Sequence, residues 1–258
     1  MMVDNSFILD GMRWSFSSVN AFNQCPKQFE LSYIDGLSKV DNSFGEWGTW
    51  MHYLFEQYFS GHLEFFELSQ LYVKDYKEHV KCRFPPNAYV DLGEKYYRTG
   101  KEYLDNFDGD FDGYTVLGVE KKVKLNIDGR PFVGVIDLVL QDKNGNIIIV
   151  DHKSKAKFKN KKEQSEYLRQ LYLYAIHIKE EYGKYPTKLI FNMFRAGGKV
   201  EHDFNEEELV AAKQWFLDII DQIYAEQDFS SKSDEFYCNY LCGVRHHCSC
   251  SDDYDGEG

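Results

Sequence analysis

Residues 134–157, GVIDLVLQDKNGNIIIVDHKSKAK, constrain the fold more than any other stretch of this 258-residue chain. Val, Ile and Leu dominate both arms and DKNG marks a turn, so the stretch reads as a β-hairpin. Asp137 interrupts the first arm, and the second runs from IIIV straight into Asp151, His152 and Lys153. Side chains alternate along a strand, so loop length decides whether the two acids share a face. A two-residue loop at Asn144-Gly145 pairs Asp137 with His152 and sets the acids on opposite faces. A three-residue loop, Lys143-Asn144-Gly145, pairs Asp137 with Asp151. Such loops close on a residue in the left-handed region, usually glycine, and Gly145 fills that slot. The three-residue loop is the expectation, with Asp137, Asp151 and Lys153 on one face.

Two close carboxylates repel, and burying them is costly unless a positive charge lies between them. A hard divalent cation with oxygen ligands meets that need. Mg²⁺ or Mn²⁺ at such a site polarises a phosphate, and Lys153 can stabilise developing negative charge. A strand-end ion pair between Lys153 and one of the acids is the competing reading.

Composition narrows the classes. Hydrophobic residues make up 43% of the chain and aromatics 17%, enough for one large core. A formal net charge of −12 argues against a protein that simply coats DNA, although a local basic patch can still hold nucleic acid. The N-terminus shows no signal-peptide pattern and no stretch is long enough to span a membrane, so a cytoplasmic, reducing compartment is expected. The cysteines are then not disulfides. Cys25 and Cys82 stand apart, while Cys238, Cys242, Cys248 and Cys250 crowd into thirteen residues.

Periodicity predicts helices over 15–34 and 44–59, and on both sides of FPPN within 63–107. In the second of these, Met51, Leu54, Phe55 and Tyr58 form the buried stripe, and His52 and Glu56 form a separate polar line. Strands are predicted at 114–126, 132–140, 146–153 and 188–194, and helices at 163–181 and 205–226. The order implies an α/β fold with a mixed central sheet flanked by helices. One domain over 1–250 is expected, followed by a disordered acidic tail, 251–258.

GVID followed fourteen residues later by DHK resembles the core of the PD-(D/E)XK nuclease superfamily. The resemblance implies a restriction-endonuclease-like fold, with Asp137 and Asp151 as its acids and Lys153 as its lysine. Ile136 stands where the name-giving proline would be, and Gly-x-x-Asp in its place is similar to the RecB-like branch. GTWMHYLFE resembles that branch's upstream helix, which makes His52 a further metal ligand. QLYLY resembles its Gln-x-x-x-Tyr motif and implies catalytic roles for Gln170 and Tyr174. SFSSVNAFNQCPKQFELSYIDGL resembles its N-terminal element. The chain then divides into that element (15–43), a nuclease core (44–226) and a cysteine-rich closure (234–250).

In iron–sulfur members of the branch, three C-terminal cysteines join one near the N-terminus. The resemblance implies that Cys25, Cys238, Cys242 and Cys248 hold a [4Fe–4S] cluster. The first C-terminal pair has three intervening residues where the family usually has two, and Cys250 is a competing ligand. Zinc is the alternative, with His246 or His247 as further ligands. The lysine-rich segment KSKAKFKNKK places Lys155, Lys157 and Lys159 where contact with DNA phosphates is expected.

The expected activity is a Mg²⁺- or Mn²⁺-dependent deoxyribonuclease, an exonuclease on DNA ends or single strands. Relatives of this compact layout serve CRISPR adaptation, recombination and phage replication. No phosphate-binding loop of a helicase motor is present, so a helicase or other partner would be a separate chain. The alternatives are a non-catalytic DNA-end-binding adaptor and an RNA-processing nuclease.

Overall fold

A computed structural model describes residues 5–107, 111 and 113–254 of the chain. The disorder expected from residue 251 does not hold for the first residues of the tail: Ser251 is buried, Asp252 accepts from Asn239 Nδ2 (2.7 Å) and Asp253 from Arg245 Nε (3.2 Å), while residues 255–258 lie outside the described residues. In chain order the elements are helices α1 (Ser6–Asp10), α2 (Phe16–Gln24) and α3 (Pro26–Phe29), a π-helical turn (Glu30–Ile34), then α4 (Ser43–Phe59), α5 (Phe65–His79) and α6 (Leu92–Asp105). Strands β1 (Thr115–Ile127), β2 (Arg130–Gln141) and β3 (Ile147–His152) follow, then α7 (Lys161–Tyr182), β4 (Lys188–Met193), β5 (Gly198–Asp203) and α8 (Glu206–Ala225). A second π-helical turn, Tyr237–Leu241, and a 3₁₀ turn, Arg245–His247, close the chain.

The five strands form one mixed sheet in the order β1-β2-β3-β4-β5. β2 and β3 are antiparallel, β3 and β4 parallel across the α7 crossover, and β4 and β5 antiparallel. All six residues of β3 are buried, as expected of a strand paired on both sides in the middle of a sheet. β5 was not expected from the sequence, where a single helix follows the 188–194 strand. GKVEHD has one apolar residue and alternates exposed with half-buried positions, so it is a charged edge strand.

The described residues gather into two compact units. One draws on Met1–Asn42, Lys124–Gly134 and Val210–Gly258, the other on Ser43–Val123 and Val135–Leu209. In the first unit, Ser15 Oγ caps α2 by accepting from the Ser18 amide at 3.0 Å, and Ser18 Oγ in turn accepts from the Ser15 amide at 3.0 Å. Trp14 pairs with Phe132 in an isolated bridge, and Phe132 packs edge-on against Phe216 of α8, with centroids 5.5 Å apart.

The second unit has an aromatic core. Trp47, Trp50, Met51, Leu54 and Phe55 of α4 pack with Leu68 and Tyr72 of α5, Tyr96 and Leu104 of α6, Phe107 and Phe194. The stripe expected on 44–59 is thus the buried face of α4, which leaves His52 on a flank that is only partly covered. α7 starts at Asn160, whose Oδ1 accepts from the Glu163 amide, and ends at Gly183 in the left-handed region (φ +75°).

Gly100 of α6 marks the closest helix approach in this core. A Cβ there would lie 2.7 Å from Tyr72 Cζ. Tyr72 cannot swing aside freely, because its hydroxyl accepts from Trp47 Nε1 (3.0 Å) and donates to the Tyr97 carbonyl (3.1 Å). Gly100→Ala gains about 1 kcal/mol of helix propensity against roughly 1–3 kcal/mol of overpacking. The expected net result is a loss of stability, read as a lower urea midpoint. A higher midpoint would show that Tyr72 yields.

Candidate active site and cysteine cavity

The hairpin fixes the geometry of the acids. Leu138 pairs with Val150 and Gln141 with Ile147, so Asp137 and Asp151 fall opposite each other in the same register. The Asp142 amide donates to the Asn146 carbonyl (2.9 Å), which closes a loop of Lys143, Asn144 and Gly145. Gly145 lies at φ +78°, the conformation that requires glycine. Asp142 Oδ1 accepts from the amides of Asn144 (2.9 Å) and Asn146 (2.8 Å), which fixes the loop length from inside.

Asp137 Oδ2 accepts from the His152 amide at 2.7 Å and lies 3.6 Å from His52 Nδ1. One ligand atom each of His52, Glu120 and Asp137 falls within 4.8 Å of the others. The sequence pointed to His52 and Asp137. Glu120 was missed, because VEKKVK reads as a solvent-facing strand. Its backbone is unusual for a non-glycine residue, with φ +45° inside β1. The alternation of β1 breaks there, so that Glu120 is half-buried among acids. The only sequence signal was Gly118, whose place in a strand marks a local irregularity. Glu56 contributes charge at Glu120 and falls outside the group of three.

Asp151 lies beside this group and is held by Lys153. Lys153 Nζ donates to Asp151 Oδ1 at 3.1 Å and lies 2.8 Å from Oδ2, at an angle that makes no hydrogen bond there. Asp151 Oδ2 is therefore a buried carboxylate oxygen that accepts no hydrogen bond among the described residues. Lys153 also donates to Gln170 Oε1 (3.2 Å), and Gln170 Nε2 donates to the Tyr174 hydroxyl (3.0 Å). The Gln-x-x-x-Tyr face of α7 thus aims Lys153.

The electrostatics follow from this crowding. Burial and then the Asp151 charge push Asp137 well above the usual carboxylate range. Burial followed by Glu56 and Asp151 raises Glu120. Burial alone would lower Lys153, but the charge and hydrogen bond of Asp151 outweigh it and keep the ammonium protonated. Burial and the Lys153 charge outweigh Asp151 and hold His52 below its ordinary value, which favours the neutral, ligating imidazole.

His152 is buried and faces Phe55, with ring centroids 4.5 Å apart. Asn192 Nδ2 lies 3.1 Å from His152 Nδ1, and the Tyr103 hydroxyl donates to Asn192 Oδ1 (3.2 Å). Burial, then the charges of His52 and Lys153, keep His152 well below its ordinary value and neutral. It acts as an anchor for the backbone between Asp151 and Lys153. In the lysine-rich segment, Lys155 pairs with Glu163 at 3.0 Å, while Lys157 and Lys159 are exposed.

The donor set suits a divalent cation. His52, Glu120 and Asp137 converge beside the Asp151–Lys153 ion pair, and a divalent cation among them would relieve the remaining repulsion between the carboxylates.

In the other unit, Cys25, Cys238, Cys242 and Cys248 are buried and line one small cavity with Tyr237 and Val244. Cys250 is exposed and Cys82 is elsewhere in the fold. Among the described residues no three thiols approach within 4.8 Å of one another. Burial would raise Cys25, but amides at Lys232 and Gln28 and the hydroxyls of Ser231 and Ser233 outweigh it and lower it. Burial raises Cys238 and Cys248, and pushes Cys242 up to about 11. His246 Nδ1 lies 3.1 Å from the Asp253 carbonyl oxygen and His247 Nε2 is 3.4 Å from Ser38 Oγ, so neither ring lines the cavity.

No helix among the described residues is long and apolar enough to cross a membrane. A search of the curated proteins returns no match. A solved structure described as "Crystal structure of SSO0001" aligns with 95% of this chain and 92% of its own, at 13% identity and a TM-score of 0.40. The profile of the PD-(D/E)XK nuclease superfamily matches residues 13–249, a span that contains the hairpin acids, the α4 histidine and the four cysteines of the cavity. This chain belongs to the PD-(D/E)XK nuclease superfamily.

Proposed function

We propose that the chain is a Mg²⁺- or Mn²⁺-dependent deoxyribonuclease of the RecB-like branch, acting as an exonuclease on DNA ends or single strands. The observation that carries this reading is the convergence of His52, Glu120 and Asp137 beside the buried Asp151, which is ion-paired with the ammonium of Lys153. An adaptor that only binds DNA ends has no need to crowd three acids together. When bound, the divalent cation supplies Lewis-acid polarisation of a phosphate oxygen. His52, Glu120, Asp137 and Asp151 are the ligands. Lys153 stabilises charge on the phosphoryl group. Gln170 and Tyr174 are positioning residues that hold the ammonium in place. Lys157 and Lys159 face solvent and are available to phosphates, whereas Lys155 must first leave Glu163.

We further propose that the four buried thiols hold a [4Fe–4S] cluster. One zinc ion would draw four sulfurs to within about 4 Å of each other, given Zn–S bonds near 2.3 Å. Neither His246 nor His247 lines the cavity, so the four thiols alone would supply the ligands. The exposure of Cys250 supports its omission from the ligand set.

Asp137→Ala, Asp151→Ala and Lys153→Ala should each reduce cleavage of end-labelled DNA in Mn²⁺ by roughly 10²–10³-fold or more, the scale of losing one charge-stabilising group. Near-normal turnover by purified Asp151→Ala would refute the assignment. Cleavage of RNA in preference to DNA by the wild type would move the substrate class.

Asp137→Asn should stabilise the metal-free protein while abolishing activity. A carboxyl whose folded-state pKa is raised costs stability as pH rises from its unfolded value through the folded one, and the amide removes that cost. In EDTA at pH 7, stability should rise by about 1 kcal/mol, read as a higher Tm. Excess Mn²⁺ should raise the wild-type Tm and not that of Asp137→Asn.

Anaerobically purified protein should be brown and contain iron. Cys25→Ser, Cys238→Ser, Cys242→Ser or Cys248→Ser should each lose the colour, whereas Cys250→Ser should keep it. Elemental analysis that finds zinc without iron would overturn the cluster.

A further inference from the structure

A cavity of about 420 Å³ opens in the same unit as the acids, between the C-terminal end of α6 and the turn from β4 to β5. Its size falls within the range of about 300–1,000 Å³ typical of small-ligand sites. Tyr103 and Phe107 contribute from one side, and Phe194, Arg195 and Lys199 from the other; of these rings Tyr103 is the partly exposed one, while Phe107 and Phe194 belong to the buried core. Rings hold both cations in place. The Arg195 guanidinium lies 4.4 Å from the Tyr96 centroid and Lys199 Nζ lies 4.0 Å from the Phe111 centroid. In a chain of net charge −12, Arg195 and Lys199 outnumber the one acid of the lining, Glu102, and leave this cavity net positive.

The cavity adjoins the cation-binding group. Phe194 lines it and has its ring 6.0 Å from that of His52, so one side chain separates the two spaces. Tyr103 lines it too, and its hydroxyl reaches His152 through Asn192.

Aromatic surface with cations at the rim recognises a base joined to a phosphate. A base can enter such a cavity only when it is unpaired and out of its stack. We propose that this cavity binds one unpaired nucleotide of the DNA strand, with the base against Tyr103 and the rings around it and the phosphate at Arg195 and Lys199. The proposal rests on the nuclease reading of the neighbouring site, and makes single-stranded or frayed DNA the preferred substrate.

Binding of a fluorescein-labelled oligo-dT strand and of a blunt hairpin duplex, measured by anisotropy in EDTA, tests it without requiring cleavage. The wild type should bind the single strand more tightly than the duplex. Arg195→Gln and Lys199→Gln should each weaken single-strand binding about tenfold and reduce the slope of log K against log salt by about 0.7. Each should also shrink the preference for the single strand. Lys184→Gln is the charge control and should bind as the wild type does. Lys184 donates to the Gly145 carbonyl at the hairpin loop, the opposite end of β3 from Asp151. Unchanged melting temperatures separate loss of binding from loss of packing around Tyr96. Free thymidine monophosphate should compete with the single strand for the wild type and not for Lys199→Gln.

Equal binding of single strand and duplex, or binding by both variants within twofold of the wild type, would overturn the proposal. Single-strand binding that depends on Arg195 and Lys199, in a protein that cleaves nothing in Mn²⁺, would support the cavity and reject the nuclease reading. Cleavage that is indifferent to both substitutions would do the reverse.

Discussion

Two like charges are forced together across the β2–β3 ladder, and much of the second unit follows from that constraint. Asp137 and Asp151 face each other because Gly145 permits a three-residue loop. Their repulsion and burial raise Asp137 well above the ordinary carboxylate range. A fold selected for stability alone would place apolar residues on this face, as it does at Val139, Ile147 and Ile149 on the same strands. The acids are a local cost carried by the surrounding core and offset by Lys153 and an incoming cation.

The neighbouring side chains limit how that strain can relax. Gln170 and Tyr174 stop Lys153 from rotating away. Asn192 and Tyr103 hold His152, whose amide in turn binds Asp137. Because His152 and Asp151 are consecutive on β3, fixing the imidazole on one face fixes the carboxylate on the other. Two sets of hydrogen bonds on opposite faces of one strand therefore define the same few atoms. Glu120 joins them through a backbone kink in β1.

The cysteine unit solves a different problem. Residues near both ends of the chain line its cavity, and its apolar cluster is small, with Leu31 and Val244 beside Cys242 and Cys248. A cluster bound to four thiolates converts assembly energy into folding energy. The rest of that unit has an apolar core of its own, with Trp14, Phe29, Phe132 and Phe216 buried.

Local rules were enough for the parts of the fold that depend on period and turn chemistry. The alternation of β2 and β3, the glycine demanded by a three-residue loop, and the buried stripe of α4 are properties of neighbouring residues. They place Asp137, Asp151, Lys153 and His52 before any tertiary contact is known. Gln170 and Tyr174 were legible as one helical face, but not as the pair that aims Lys153. Glu120 escaped because its role depends on a φ of +45°, which the chain adopts only within the sheet. β5 escaped because its strand character comes from pairing with β4, not from its own residues. The anchoring of His152 by Asn192 and Tyr103 joins positions up to 89 residues apart. Such contacts are decided by packing, since only the folded core excludes the water that would otherwise bind those polar groups.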